Sequence, residues 1–257
     1  MKRIAIVTGA SSGVGQEFVR QLDEGRGGPL DEIWIIARNE ERLESIRAAC
    51  TRVPARPIPA DLTDEGSFEL IEGLLDEADV VVEWLVNSAG YGKFGDYASI
   101  GAKDNAGMVQ LNCLAVVNMI SLALPYMHAG SRIINLSSIA GAIPQVMLAT
   151  YSATKAFVLE LSRMLDHELS PVGIHVTAVC PKFMKTRFLD QPGNDDAAKG
   201  MCKIGFEDVE HVVRMALDCA VFGMPVCIPN RGMRFTYLAS RCMPRTLLFK
   251  LEDLLFR

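Results

Sequence analysis

The residues best placed to do chemistry are a phenol and an ammonium four positions apart, in Tyr151-Ser152-Ala153-Thr154-Lys155. That spacing puts both on one face of a helix. A free tyrosine titrates near ~10 and is a poor acid–base group at neutral pH. A neighbouring cation favours the phenolate and brings its proton into working range. Thirteen positions before the tyrosine, Ser138 stands just past an apolar run. From there a hydroxyl would hold a carbonyl oxygen beside the phenol. Ser137 competes for that role, because adjacent strand residues point to opposite faces.

A second constellation opens the chain. The run 4–8 leads into Gly9-Ala10-Ser11-Ser12-Gly13-Val14-Gly15, and a helical pattern follows. Glycines there permit a tight turn, close approach of backbone to a pyrophosphate, and tight helix–strand packing. The amino end of the helix offers free N–H groups and a positive dipole end to an anion. Dinucleotide folds that take NAD place an acid at the end of the second strand, on the ribose hydroxyls. Here that place holds Ala37 and then Arg38. A guanidinium without an acid suits a ribose 2′-phosphate, and therefore NADP(H).

Both constellations need a scaffold of alternating elements. Short apolar runs at 4–8, 33–37, 84–87, 132–137 and 174–180 read as strands. Helical periodicity is expected at 14–24, 40–49, 65–77, 106–128, 150–169 and 209–221. Strands that are apolar throughout, rather than alternately, suit a parallel sheet covered on both faces. The fold class is α/β: a Rossmann-like doubly wound parallel sheet, flanked by helices on both faces, in one domain. That domain spans 1–257, with a core over 1–230 and a basic, apolar extension over 231–257. The polar stretch 187–206 follows the carboxyl end of a strand and is long for a connection. It reads as a lid over a substrate, against the alternative of a plain surface loop.

Composition narrows the partners. Of 257 residues 49% are hydrophobic and 22% charged, the balance of a globular domain rather than of a disordered or collagen-like chain. The net charge of −5 lacks the basic footprint of a nucleic-acid binder. The apolar run after Met1-Lys2-Arg3 is too short for a signal-peptide core or a membrane span. Cysteines stand singly at 50, 113, 180, 202, 219, 227 and 242, so no zinc or redox pair is expected, and no metal. A reducing cytoplasm is the simplest setting.

These residues resemble the short-chain dehydrogenase/reductase family over about 3 to 228. The run from Thr8 to Gly15 resembles its cofactor loop, and Asn87-Ser88-Ala89-Gly90 its Asn-Asn-Ala-Gly segment, with serine in second place. Asp61-Leu62 resembles the pair whose aspartate contacts adenine. Asn112, Ser138, Tyr151 and Lys155 match the family tetrad in order and spacing. The resemblance implies hydride transfer between NADP(H) and a ketone or secondary alcohol. Tyr151 would then be the proton donor and Ser138 the carbonyl holder. Lys155 would bind the nicotinamide ribose and depress the tyrosine, while Asn112 would support a relay water. Pro181, Phe183 and Thr186 match the stretch that meets the nicotinamide amide, with Lys182 where the family has glycine. A nucleotide-sugar epimerase is disfavoured by the glycine spacing. A non-catalytic NADP sensor is disfavoured by the presence of both Tyr151 and Lys155.

The substrate and the assembly are less constrained. Phe94, Ile143, Val146, Met147, Met184 and Phe188 suggest an apolar substrate such as a steroid, a fatty-acyl group or a hydrophobic ketone. Apolar residues surround the helices 106–128 and 150–169 more fully than one sheet needs, which predicts a homodimer or homotetramer. Val158 is taken as one outward position of that contact. From Arg231 on, six bases face two acids, a net +4 that leaves 20 bases against 29 acids, or −9, on the first 230 residues. This tail reads as packing on the protein, with contact to an anionic membrane surface as the alternative.

Overall fold

Successive residues of the first strand, β1 (Lys2–Thr8), bury themselves on opposite sides of the sheet. Ala5 and Val7 enter one core, Ile4 and Ile6 the other. An all-apolar strand is what a sheet covered on both faces requires. The computed structural model describes residues 1–143, 145, 147–184 and 205–242. The expected lid falls almost wholly outside them, as do Thr186 and the chain after 242.

Seven parallel strands run in the order β3-β2-β1-β4-β5-β6-β7. The others are β2 (Glu32–Ala37), β3 (Ala55–Pro59), β4 (Val80–Asn87), β5 (Arg132–Leu136), β6 (His175–Val179) and β7 (Val226–Cys227). β1 pairs with both β2 and β4, so the winding reverses there and a crevice opens at the strands' carboxyl ends. Sequence patterning missed β3 and β7. β3 carries Pro57 and Pro59, which lack ladder donors and are tolerated because this strand is an edge. β7 is two residues long, below any periodic signal.

On one face lie α1 (Gly13–Asp23), α2 (Glu40–Ala49) and α8 (Val209–Val221); on the other lie α3 (Glu65–Glu77), α5 (Ala115–Ala123) and α7 (Ala149–Leu169). The helix expected over 106–128 is a composite. It begins as α4 (Tyr97–Val109), passes through a π-helical turn at Gln110–Leu114, and ends after α5 in a 3₁₀ turn with Pro125 near its start. The run Tyr97–Tyr126 is long and apolar enough to cross a membrane, yet α5 within it lies against the sheet and supplies core residues.

The short helix α6 (Ile139–Ala142) follows β5, and α9 (Arg231–Cys242) follows β7. α7 buries a stripe of Thr154, Lys155, Val158, Leu159 and Ser162. Val158 is therefore fully buried, which corrects its reading as an outward position. The outward apolar residues include Phe157 and Met164 on α7, with Val109 and Leu114 before α5. A helical step of one residue turns ~100°, which is why Phe157 and Val158 face opposite environments.

Candidate active site

The crevice between β1 and β4 is stapled by a side chain to which the motif reading gave no role of its own. Thr8, the last residue of β1, accepts the backbone N–H groups of Ser88 and Ala89, both at 3.1 Å, with its hydroxyl oxygen. Gly9 takes φ +64° and lies so near this segment that a Cβ would stand 2.8 Å from the Ala89 backbone. A Cβ on Gly15 would stand 2.3 Å from the Gly9 carbonyl oxygen. Gly15 is therefore a packing glycine that lets α1 close on the loop.

Above that packing lies a cleft of about 980 Å³, at the upper end of the ~300–1,000 Å³ usual for ligand sites. Gly9, Ser11, Ser12, Gly13 and Val14 line it, with Arg38, Asp61, Leu62, Ala89 and Gly90. So do Ser138, Tyr151, Lys155, Pro181 and Phe183. Gly15 and Asn87 do not. Asn87 is buried in the sheet and donates its amide to Asn135 Oδ1 at 2.8 Å, so its place is structural rather than in the cleft.

The amino end of α1 suits an anion. Its first turn has no acid, and the side chain of its N-cap, Ser12, makes no capping bond, leaving backbone donors turned to the cleft. At the far end the exposed Arg38 faces the half-buried Asp61 at 3.8 Å. Asp61 also caps the Thr63 amide at 3.0 Å. Arg42 lines the cleft as well, one turn along α2 from Asn39, whose side chain accepts the Arg42 N–H. The motif reading missed Arg42. Its place in the first turn of the helix that follows Arg38 was the available signal. These features fit a dinucleotide: a glycine cradle, free helix amides and guanidinium groups at one end.

At the other end the tetrad residues converge. Ser138 caps α6 in extended backbone and accepts the Ala140 N–H at 3.2 Å. Its hydroxyl shares a hydrogen bond with the phenol of Tyr151. α6 can lie this close to α7 because of Gly141, where a Cβ would stand 2.5 Å from the Lys155 carbonyl group. The Lys155 ammonium donates to the carbonyl of Leu136 at 2.6 Å and lies 5.8 Å from the Tyr151 ring centroid. Burial pushes Lys155 down to about 8. Tyr151 is pushed up to about 12, burial outweighing the opposing bond from Ser138. Burial thus opposes the expected lowering of the phenol, and Lys155 is not among the groups that shift it. Leu136 holds the charge, and burial sets the phenol.

Asn112 sits in the π-helical turn and is fully buried. Its amide nitrogen donates to the Tyr91 carbonyl at 2.9 Å and to Thr154 Oγ1 at 3.1 Å, while its oxygen accepts the Tyr91 N–H at 3.0 Å. It thus braces the exit of β4 against α7 and does not reach the cleft. Past β6, the Lys182 N–H donates to Glu207 at 2.7 Å, and the Glu207 N–H donates to the Phe183 carbonyl at 2.8 Å. With lysine in place of the expected glycine, Glu207 fixes this backbone. The described residues hold no cluster of His, Cys, Asp or Glu suited to a metal.

A doubly wound parallel sheet, with a glycine cradle at its switch point and a Ser–Tyr–Lys group in the same cleft, defines a nucleotide-binding α/β oxidoreductase. The chain belongs to the short-chain dehydrogenase family, whose model matches residues 3–197, and it acts between a carbonyl and a CH–OH group. A very-long-chain 3-oxoacyl-CoA reductase of Bos taurus is 31% identical over 71% of this chain and 60% of its own length. Sulfoacetaldehyde reductase 2 of Chromohalobacter salexigens is 32% identical over 77% of this chain and 79% of its own. Among solved structures, a short-chain dehydrogenase from Sphingobium yanoikuyae in complex with NADPH superposes with a TM-score of 0.80. It is 28% identical, over 94% of this chain and 93% of that one.

Proposed function

We propose that the protein reduces an apolar ketone or oxoacyl substrate with NADPH, and runs the reverse oxidation with NADP. The observation that carries this reading is one cleft holding the glycine cradle and Arg38 at one end and the Ser138–Tyr151 hydrogen bond at the other. The bound nicotinamide supplies the hydride chemistry. The chain supplies position and a proton. Gly9 and the free amides at the head of α1 receive the pyrophosphate. Asp61 and Leu62 flank the adenine, and Arg38, with Arg42 beside it, binds the 2′-phosphate.

Tyr151 is protonated across the neutral range, so it is ready to donate to a carbonyl oxygen. Ser138 orients that oxygen on the same bond it now makes with the phenol. Lys155, protonated below about pH 8 and already held by Leu136, turns its remaining donors to the ribose. Asn112 acts through Tyr91 and Thr154 as a positioning residue. Phe183 and Met184, which line the cleft, support an apolar substrate, as does the acyl substrate in the name of the bovine relative. The protein works as a homodimer or homotetramer, and five unpaired described cysteines agree with a cytoplasmic setting.

The test is NADPH consumption with a panel of ketones and oxoacyl thioesters, with NADH in parallel. Turnover of bulky apolar members with NADPH is expected. Cofactor binding without turnover of any member would make the protein a sensor instead.

A further inference from the structure

The helix α9 has two unlike sides. Its inner side carries Met233 and Tyr237, which pack on Ile139, Leu159, Ala178, Cys180 and Ile228. Its start is tied down twice. Asn230 Oδ1 accepts the Met233 N–H at 3.0 Å, and Arg234 Nε donates to the Ile228 carbonyl at 2.6 Å. The helix is thus a fixed part of the domain. Its outer side is apolar and basic. Phe235 is 76% exposed and Leu238 62%, three residues apart and so adjacent on the helix, with exposed Arg231 one turn before them.

The charge pattern points to one kind of partner. Residues 231–242 hold three arginines and no acid. Beyond them the sequence adds Leu247, Leu248, Phe249, Leu251, Leu254, Leu255 and Phe256, with three bases against two acids. The 230 residues before the helix carry −9, so an anionic surface repels the body and attracts this end alone. A second copy of the chain fits poorly. Two exposed apolar side chains fall far short of the ~800 Å² per partner of a stable interface.

We propose that α9 is an interfacial helix that docks the protein on an anionic lipid bilayer. Phe235 and Leu238 enter the boundary between headgroups and acyl chains, and Arg231 lies among the phosphates. Because α9 packs directly on α6, docking sets the segment capped by Ser138 one helix layer from the lipid.

The experiment is flotation of the full chain with vesicles of phosphatidylcholine, alone or mixed equally with phosphatidylglycerol. The chain is expected to float with the mixed vesicles at low salt, to stay behind with phosphatidylcholine alone, and to be released by high salt. Arg231→Gln should weaken binding about 5-fold, the effect of one basic residue near the surface. The double variant Phe235→Ser, Leu238→Ser should not float, while its circular dichroism and its NADPH affinity stay those of the parent. A parent that never floats overturns the proposal, and so does a double variant that floats unchanged. A double variant that only dissociates an oligomer, with no lipid binding in the parent, shows the face to be a self-contact instead.

Discussion

The Ser137 hydroxyl donates to the backbone carbonyl of Lys155 at 2.7 Å, while its neighbour Ser138 turns the other way and meets the phenol of Tyr151. Two adjacent serines therefore do different jobs. Both border the cleft, but Ser137 locks α7 to the end of β5, and Ser138 is left to the phenol. Ser138→Ala should lower kcat for carbonyl reduction with little change in melting temperature. Ser137→Ala should do the reverse and cost ~0.5–1.5 kcal/mol, the net worth of one hydrogen bond to a helix carbonyl. Thermal melts and steady-state kinetics on the two variants check this; matching losses of kcat would refute the division.

Tyr151→Phe should keep NADPH affinity and lose carbonyl reduction by at least ~100-fold, the scale of acid–base catalysis. Fluorescence titration with NADPH separates binding from turnover. Retained reduction would mean that another group donates the proton.

Arg38→Ala should shift the NADPH-to-NADH affinity ratio toward NADH by ~10- to 100-fold, the loss of a charge-assisted contact of roughly 1.5–3 kcal/mol. Arg42→Ala should shift the same ratio less, because Arg42 stands beside this contact rather than at the strand end. Equal affinities of the parent for the two cofactors would defeat the assignment of both arginines.

Lys155→Met should raise the melting temperature at neutral pH while it abolishes turnover. Burial lowers the folded lysine to about 8 from 10.5. The folded state therefore disfavours the charge, and below about pH 8 that penalty is present in full. Between about 8 and 10.5 the unfolded chain binds the extra proton, so stability of the parent rises with pH across that window. The shift corresponds to a gain of at most ~3 kcal/mol in the variant, reduced by the lost bond to Leu136. Melts of parent and variant from pH 6 to 10 should converge at the alkaline end. A variant that melts below the parent at pH 7 would show that the lysine's bond outweighs its desolvation.

Phe157→Glu or Met164→Glu should dissociate the proposed oligomer, since these side chains are 43% and 56% exposed on the outward side of α7. Sedimentation velocity at micromolar concentration gives the answer. Val158→Glu should instead unfold the domain, because it puts a carboxylate into the core. A parent that sediments as a monomer removes the interface altogether.

Local patterns made much of this protein legible. A four-residue spacing placed Tyr151 and Lys155 on one helix face. Continuous apolar runs marked five of the seven strands and their two-sided burial. The loop from Gly9 to Gly15 announced a tight turn by the glycines that a close backbone approach demands. Such features depend on neighbours within a turn or a strand, so the chain states them directly.

Other properties depend on contacts between residues far apart in the chain. β3 is a strand despite its prolines because it lies at an edge, which only the strand order reveals. Gly15 and Asn87 belong to motifs that border the cleft, yet close packing with Gly9 and Asn135 keeps them out of it. Burial governs the phenol of Tyr151, and the Leu136 carbonyl, fifteen residues away, accepts a bond from the ammonium that proximity in sequence assigns to the tyrosine. Spacing could bring Ser137 and Ser138 to the same strand end, but only the approach of α7 decided which one bonds the carbonyl of Lys155 and which one meets the phenol.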